Sequence, residues 1–492
     1  MSWHVRVVRG RYVDSVRLMK LAQRAREHSA VVRAEIAMGT PANLEALAGL
    51  GVSADAGPAD VVIAVDPADA DAVAVLDRAE GELAAPTAVG ERPADAAPRS
   101  LGAAARTLGD ANVALISVPG EYAVLEAHRA LTAGLHVFLF SDHVSAADEL
   151  ELKRRAAARG LLLMGPGCGT AMLGNVGLGF ANVVRPGPVG IVAAAGTGAQ
   201  EAAVLLDGAG IGVSHIVGVG GRDLSAQIGG IMFRAAMRML AADDATETLL
   251  LVSKPPAPEV VRALGTIELA GKRVVSAFVG WDGGETPFEI HPTLDAGAFA
   301  AAQVAPPVVE DLEAQVDARR DGTARRLVGL YSGGSLAHEA VTILRPALGG
   351  IGGNAGDTQR TSSSGTGGHA GGHAIFDLGE EEYTQGRPHP MVDLGTRLGM
   401  LEQAAADERV GCVLLDVVIG HGAHDDPAAG LAPALERLGA GRVVIAHVCG
   451  TAGDPQDAAR QEATLRSAGV VVAPTNATAA RLAARAVAGA PA

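Results

Sequence analysis

One unit recurs along this chain and limits what it can become: a short apolar run, a glycine-rich turn, then a helical stretch. "VGIVAAAGTGAQEAAVLL", residues 189 to 206, is its plainest copy. Val189 to Ala194 are small and apolar without alternation, as a strand covered on both faces requires. Gly196 and Gly198 let the backbone come close to a ligand, and Thr197 is placed to cap the helix. The first amides of such a helix lack intrahelical partners, so its end attracts phosphate or carboxylate. The same turn is also ordinary scaffolding in doubly wound folds, and the stretch alone does not separate the two readings.

The rhythm repeats in four blocks. "HVRVVRG", "VVRAEIAM" and "ADVVIAVD" are read as strands of an N-terminal α/β domain over 1–95, closed by the linker-like "APTAVGERPADAAPRS". A Rossmann-like, CoA-binding-like domain follows over 100–185, and a third domain over 186–305 begins with the stretch above. A charged segment from Pro306 to Arg326 reads as a linker helix. The last domain, 325–492, contains "CVLLDVVIGHGAHDDP" and "RVVIAHVCGT", and inside it the Gly/Ser-rich "NAGDTQRTSSSGTGGHAGGH" reads as a mobile loop. The class is α/β with several Rossmann-like or flavodoxin-like parallel sheets.

Composition excludes several functions. A formal charge of −15 with no Lys/Arg run, and 3% aromatic residues, leave neither a phosphate-backbone surface nor a stacking platform for nucleic acid. Cys168, Cys412 and Cys449 lack metal-ligand spacing and suit a reducing cytoplasm without disulfides. The N-terminal "MSWHVRVVRGRYVDSVRLMK" alternates and is charged throughout, so neither a signal peptide nor a membrane span is expected there. The expected location is the cytoplasm.

In open parallel sheets ligands bind beyond the carboxyl ends of the strands, which directs attention to the turns "SVPGEY", "MGPGCGT", "AAAGTGAQE", "GVGGRDLS", "VSKPPA" and "DVVIGHGAHDD". "GLLLMGPGCGT", "RPGPVGIVAAAGTGAQEA" and "VGVGGRDLS" resemble, in order and spacing, the α subunit of succinyl-CoA synthetase and its ATP-citrate lyase relatives. "IFDLG" with "VLLDVVIGHGAHDDPAAG" is similar to the CoA-ligase domain of the β subunit. Their combination with "SVPGEYA", "SKPP" and "GRPHPMVD" resembles the FdrA family over nearly the whole chain.

The resemblance implies two helices aiming their N-termini at one phosphate: the helix after Gly196, Thr197 and Gly198, and a second near Gly420, His421 and Gly422. It also implies an acyl-group transferase subunit, with carbamoyl transfer between oxamate and phosphate as the FdrA-type reaction in purine (allantoin) breakdown. An acyl-CoA synthetase-like ligase needing an ATP-binding partner and a non-catalytic metabolite sensor are the alternatives. Phosphate or carbamoyl phosphate would be substrate or product, and CoA is a possible ligand. The substrate would be a small carboxylate or amide, and partner subunits in an oligomer are expected, with no nucleic acid, membrane or metal.

Departures from the synthetases matter as much. The resemblance covers no ATP-grasp domain, and the chain has no Walker-type motif. The loop after "KRVVSAFVGW" holds only His291 where those enzymes carry a phosphorylated histidine, and "SKPPA" replaces a glutamate-bearing turn. Lys254 therefore offers an anion partner where the synthetases offer a partner to imidazole. "GHAG" does occur, at Gly368 to Gly371, but in the Gly/Ser loop, whose glycines oppose the helix a histidine pair four apart needs to grip a metal. Lys254, Arg387 and His389 are the catalytic candidates. Gly220, Gly221, Arg222 and Asp223 are substrate-binding candidates, although Arg222 and Asp223 could equally pin their own loop. His389, between prolines, suits either a structural role or proton transfer. Cys168 has no assigned activating base, and Asp416 ends a buried strand where it could orient a loop.

Overall fold

The structure is a computed structural model, and it describes residues 3–488 apart from 12, 14, 27, 70, 85–97, 99, 285, 321–325, 356–371, 385–386 and 439–440. The linker at 85–97 and the Gly368 to Gly371 tetrapeptide lie outside the described residues. The chain forms two compact units, residues 1–97 with 380–395, and residues 98–379 with 396–492.

In the first unit, β1 (His4–Val8), β2 (Val31–Met38) and β3 (Val61–Pro67) form one sheet in the order β1-β3-β2, and both pairings are antiparallel. This corrects the expectation of a parallel sheet for the first domain. The physical reason was visible in β1 and β2, which mix charged and apolar residues as one-sided antiparallel strands do. Leu18, Leu21 and Ala25 of α1 (Ser15–Arg26) and Val75, Leu76 and Leu83 of α3 (Ala72–Ala84) pack on the face carrying Ile63 and Val65. Leu47 of α2 (Pro41–Gly49) covers Val62 and Ala64 on the other. Thr40 caps α2, accepting from the Asn43 amide, with Pro41 at the first helical position.

The second unit holds three sheets. The first is parallel, β4 (Val113–Ile116), β5 (His136–Leu139) and β6 (Leu163–Met164), preceded by α4 (Leu101–Leu108) and interleaved with α5 (Gly120–Thr132) and α6 (Ala146–Ala158). The chain then enters a seven-stranded sheet through an antiparallel hairpin, β7 (Thr170–Leu173) and β8 (Val176–Gly179). Next come β9 (Pro186–Ala193), α7 (Gly196–Gly208), β10 (Val213–Gly218), α8 (Ile231–Ala242), β11 (Thr248–Ser253), α9 (Pro258–Leu264), β12 (Arg273–Phe278), β13 (Glu289–His291) and α10 (Leu294–Ala302). Their order is β13-β12-β11-β9-β10-β7-β8.

After α11 (Glu310–Arg319), the third sheet is built from β14 (Arg326–Tyr331), α12 (Gly334–Leu348) and β15 (Ala374–Asp377); α13 (Glu381–Thr384) belongs to the first unit. The chain continues with α14 (Gly395–Ala406), β16 (Val410–Val418), α15 (Pro427–Arg437), β17 (Val443–Cys449), α16 (Ala458–Ser467), β18 (Val471–Ala473) and α17 (Asn476–Ala488). The order β15-β14-β16-β17-β18 is parallel throughout. In each large sheet one strand has its successors on opposite sides: β9 is flanked by β10 and β11, and β14 by β15 and β16. At such switch points the adjoining turns diverge and leave a crevice. The helices that follow these two strands are α7 and α12.

Candidate functional site

The two switch-point helices meet by their N-termini. Neither has a side-chain cap: Ala195 precedes α7 and Gly333 precedes α12. The Ser335 amide donates to Thr197 Oγ1 at 3.4 Å. A Cβ on Gly333 would fall 2.8 Å from the Thr197 side chain, and one on Gly198 would fall 3.3 Å from Ser335 Cβ. Glycine here is a packing requirement, because any side chain would push the helices apart. Gly196 is exposed and Thr197 half-buried, so the end of α7 is open to solvent.

Asp416 holds the α12 side in place. Fully buried, it accepts from the backbone amides of Ser332 and Gly333, both at 2.8 Å, and from Ser332 Oγ at 3.0 Å. Arg397, itself buried, compensates its charge through Nη2 at 2.7 Å and donates Nη1 to the Asp416 carbonyl oxygen at 2.6 Å. Asp416 thus orients a loop, but the loop before α12.

Lys254 lies exposed just after β11, at the same carboxyl edge as Gly196. His338, on α12, joins this edge and was not singled out by the sequence. It lies one turn beyond Gly334 and Ser335, on the same helix face. One ring nitrogen bonds the Val279 backbone; Nε2 is buried without a partner, next to Gly280 after β12. Burial, followed by the charge of Lys254, pushes the imidazole down to about 4, so it is neutral at physiological pH.

The turn at Gly420 to Gly422 is not a helix start, which corrects the expectation of a second phosphate-facing helix there. Gly420 and Gly422 both have positive φ, and the His421 amide donates to the Ala181 carbonyl at 2.8 Å. α15 begins only at Pro427, behind Asp426, whose carboxylate accepts from the Ala429 amide and pairs with Arg460. An acid already occupies that helix end. The turn itself is tied to α7 sideways, through Asn182, which donates to the Ile419 carbonyl and accepts from Gln200.

Asp223 is likewise structural. It is fully buried, accepts from Lys153 Nζ at 2.7 Å and receives the Met232 and Phe233 amides at the start of α8. Arg222 donates to Glu149 at 2.8 Å and to the Val144 carbonyl at 2.7 Å. Both residues tie down their own loop here, and Asp223 is fully buried away from solvent. Gly220, at positive φ, lies against the Pro166 carbonyl where a Cβ would come within 2.7 Å, and Gly221 is exposed. Arg387 and His389 belong to the first unit, where the Met391 amide donates to His389 Nδ1. Cys168 is buried between the carbonyls of Thr170 and Gly218, and burial pushes its thiol up to about 12, which leaves it unreactive.

The junction lies partly within a CoA-ligase domain of the chain. The CoA-ligase family model matches residues 330–486, and the model described as "AllF, heavy metal-associated domain" matches residues 1–98. Escherichia coli (strain K12) YahF is 35% identical over 96% of both chains, and this chain belongs to the same FdrA-type family. The α-2 subunit of the ADP-forming succinate–CoA ligase of Trichomonas vaginalis is 33% identical over 150 residues, 30% of this chain and 47% of that one. The ATP citrate lyase of Methanothrix soehngenii, solved with citrate and coenzyme A, aligns over 43% of this chain and 38% of its own at 17% identity and a TM-score of 0.31. The first 98 residues contain no cysteine and only His4 and His28, so the thiolate donors a heavy metal favours are missing. Among the described residues no cluster of three His, Cys, Asp or Glu could hold a metal, and no helix is long and apolar enough to cross a membrane.

Proposed function

We propose that this chain is an acyl-CoA ligase-like subunit that transfers an acyl group between CoA and phosphate, with the phosphate at the N-terminus of α7. The observation that carries this reading is the meeting of two glycine-lined helix ends at the switch points of two sheets, with the end of α7 open to solvent and without a side-chain cap. Such ends favour an anion, and Lys254 on the same edge adds a full positive charge where negative charge develops. In the reaction a phosphate oxygen attacks the thioester carbonyl and the C–S bond breaks. The proton of monohydrogen phosphate ends on the CoA sulfur. The neutral His338 lies behind this edge, with its buried Nε2 beside Gly280. This half-reaction needs no ATP; steps that do would fall to a partner subunit carrying the missing ATP-grasp domain.

The narrower carbamoyl reading uses the same anion site and rests on the FdrA resemblance. Atom balance requires oxamate to be the acceptor: its nitrogen attacks carbamoyl phosphate, giving carbamoyl-oxamate and phosphate. Both reactions are tested by incubating the purified chain with phosphate and either acetyl-CoA, succinyl-CoA or carbamoyl-oxamate, and trapping products with hydroxylamine. Phosphate-dependent hydroxamate with stoichiometric free thiol supports acyl-CoA phosphorolysis. Product from carbamoyl-oxamate alone supports the carbamoyl reading, and product from none of them, with or without copurifying subunits, refutes both.

A further inference from the structure

The loop from Gly220 to Gly230 has its inner side fixed by Lys153 and Glu149, as described above. Its outer side, with the outward faces of α6 and α8, borders an open surface cleft of about 430 Å³. Leu150 and Arg154 stand one turn apart on α6, and Ile231 and Arg234 three residues apart on α8, so each helix presents one apolar and one cationic group. Buried Ile228 forms part of the apolar lining.

Both arginines lack a counter-charge. Among the described residues Arg154 forms no ion pair or hydrogen bond, and Arg234 uses only Nε, on the Gly230 carbonyl at 3.3 Å. No Asp or Glu lines the cleft, in a chain whose formal charge is −15. Two guanidinium groups facing one cleft repel each other until an anion lies between them, and their planar forks suit phosphate oxygens. The amides of α8 are not the attraction, because Met232 and Phe233 already give theirs to Asp223.

We infer that this cleft is a binding site for a small organic phosphate, its dianionic head between Arg154 and Arg234 and its apolar body against Leu150, Ile228 and Ile231. The site is separate from the junction of α7 and α12. The partly exposed Leu150 and Ile231 beside the arginines make a bare phosphate the poorer ligand, since it leaves those two side chains in water.

Isothermal titration of the full chain with phenyl phosphate, and separately with inorganic phosphate, tests this. Phenyl phosphate binds at least tenfold more tightly than inorganic phosphate, and Arg154→Gln and Arg234→Gln each weaken it tenfold or more. Circular dichroism of both variants matches the parent, because neither arginine supports the core. Lys254→Met retains phenyl phosphate binding, which separates this cleft from the α7 site. The inference is overturned if phenyl phosphate does not bind, if it binds no better than inorganic phosphate, if either arginine variant binds like the parent, or if Lys254→Met abolishes binding.

Discussion

Glu201 lies on α7 one turn behind the open helix end, and its surroundings allow a quantitative prediction. Its carboxylate is buried, 2.7 Å from His447 Nε2 on β17, and its other oxygen accepts from the Asn476 amide at 3.2 Å. Burial pulls the His447 imidazole down, but Glu201 and the Ala473 carbonyl outweigh it and the group ends raised above 6.5. Replacing His447 with Leu removes the cation and leaves the buried Glu201 with only the Cys449 thiol and one long backbone bond. Breaking one side of such a buried pair costs about 3–5 kcal/mol, whereas replacing both partners with apolar groups is often near neutral. In urea unfolding at pH 6.0, His447→Leu should therefore lose that much, and Glu201→Leu/His447→Leu should recover most of it. The sign with pH follows from the raised imidazole: the pair's contribution is complete below about 6.5 and is lost as pH rises through the folded value. The deficit of His447→Leu should accordingly shrink in alkaline buffer. A deficit below about 1 kcal/mol at pH 6.0, or a double variant no better than the single, would refute the reasoning.

Three further outcomes are expected. Lys254→Met should keep the parent circular dichroism and lower phosphate-dependent acyl transfer by roughly 100- to 1,000-fold, with Lys254→Arg recovering little; parent-like rates for both would make Lys254 a plain surface lysine. Gly333→Ala places a methyl group against Thr197 at the helix junction, costing about 1–3 kcal/mol and weakening phosphate binding in a titration, while Gly349→Ala, away from the junction, leaves that binding unchanged. Glu339 is buried, and burial with the nearby Asp295 pushes it up to about 8 from its ordinary 4.5. The folded state therefore holds a proton the unfolded state releases, so unfolding free energy falls as pH rises from 4.5 to about 8, and Glu339→Gln should flatten that slope in urea titrations.

The open end of α7 was legible because everything it needs is local: an apolar run, Gly-Thr-Gly, a helix. Lys254 was legible for the same reason, as a charge at a strand end. The second helix was not, because "LYSGGSLAH" and "VIGHGAHDD" both read as a strand followed by a glycine turn. Only the order of strands, set by pairings far apart in sequence, makes β14 a switch point, and only Asp426 and Pro427 place the start of α15 seven residues after Gly420. Asp223 looked available because its partner, Lys153, is 70 residues away. His338 carried no signal at all, since a single histidine on a helical face gains meaning only from the groups packed against it. The N-terminal sheet, expected to be parallel, is antiparallel, and the mixing of charged and apolar residues in β1 and β2 already carried the one-sided antiparallel pattern.

The ties on Glu201 also govern when this site can come into being during synthesis. His447 is 246 residues further along the chain, and Asn476 is 275. At ribosomal speeds of about 5–20 residues per second, Glu201 waits roughly 12 to 50 seconds for His447. Until then its carboxylate has no cation to enter the interior with, although the apolar side of α7 can already pack on β9, β10 and α10. Pairings of such long range close late and slowly. A nascent chain should therefore carry Glu201 without its cation until β17 has emerged, leaving the anchoring of α7 beneath the anion site among the last features to form.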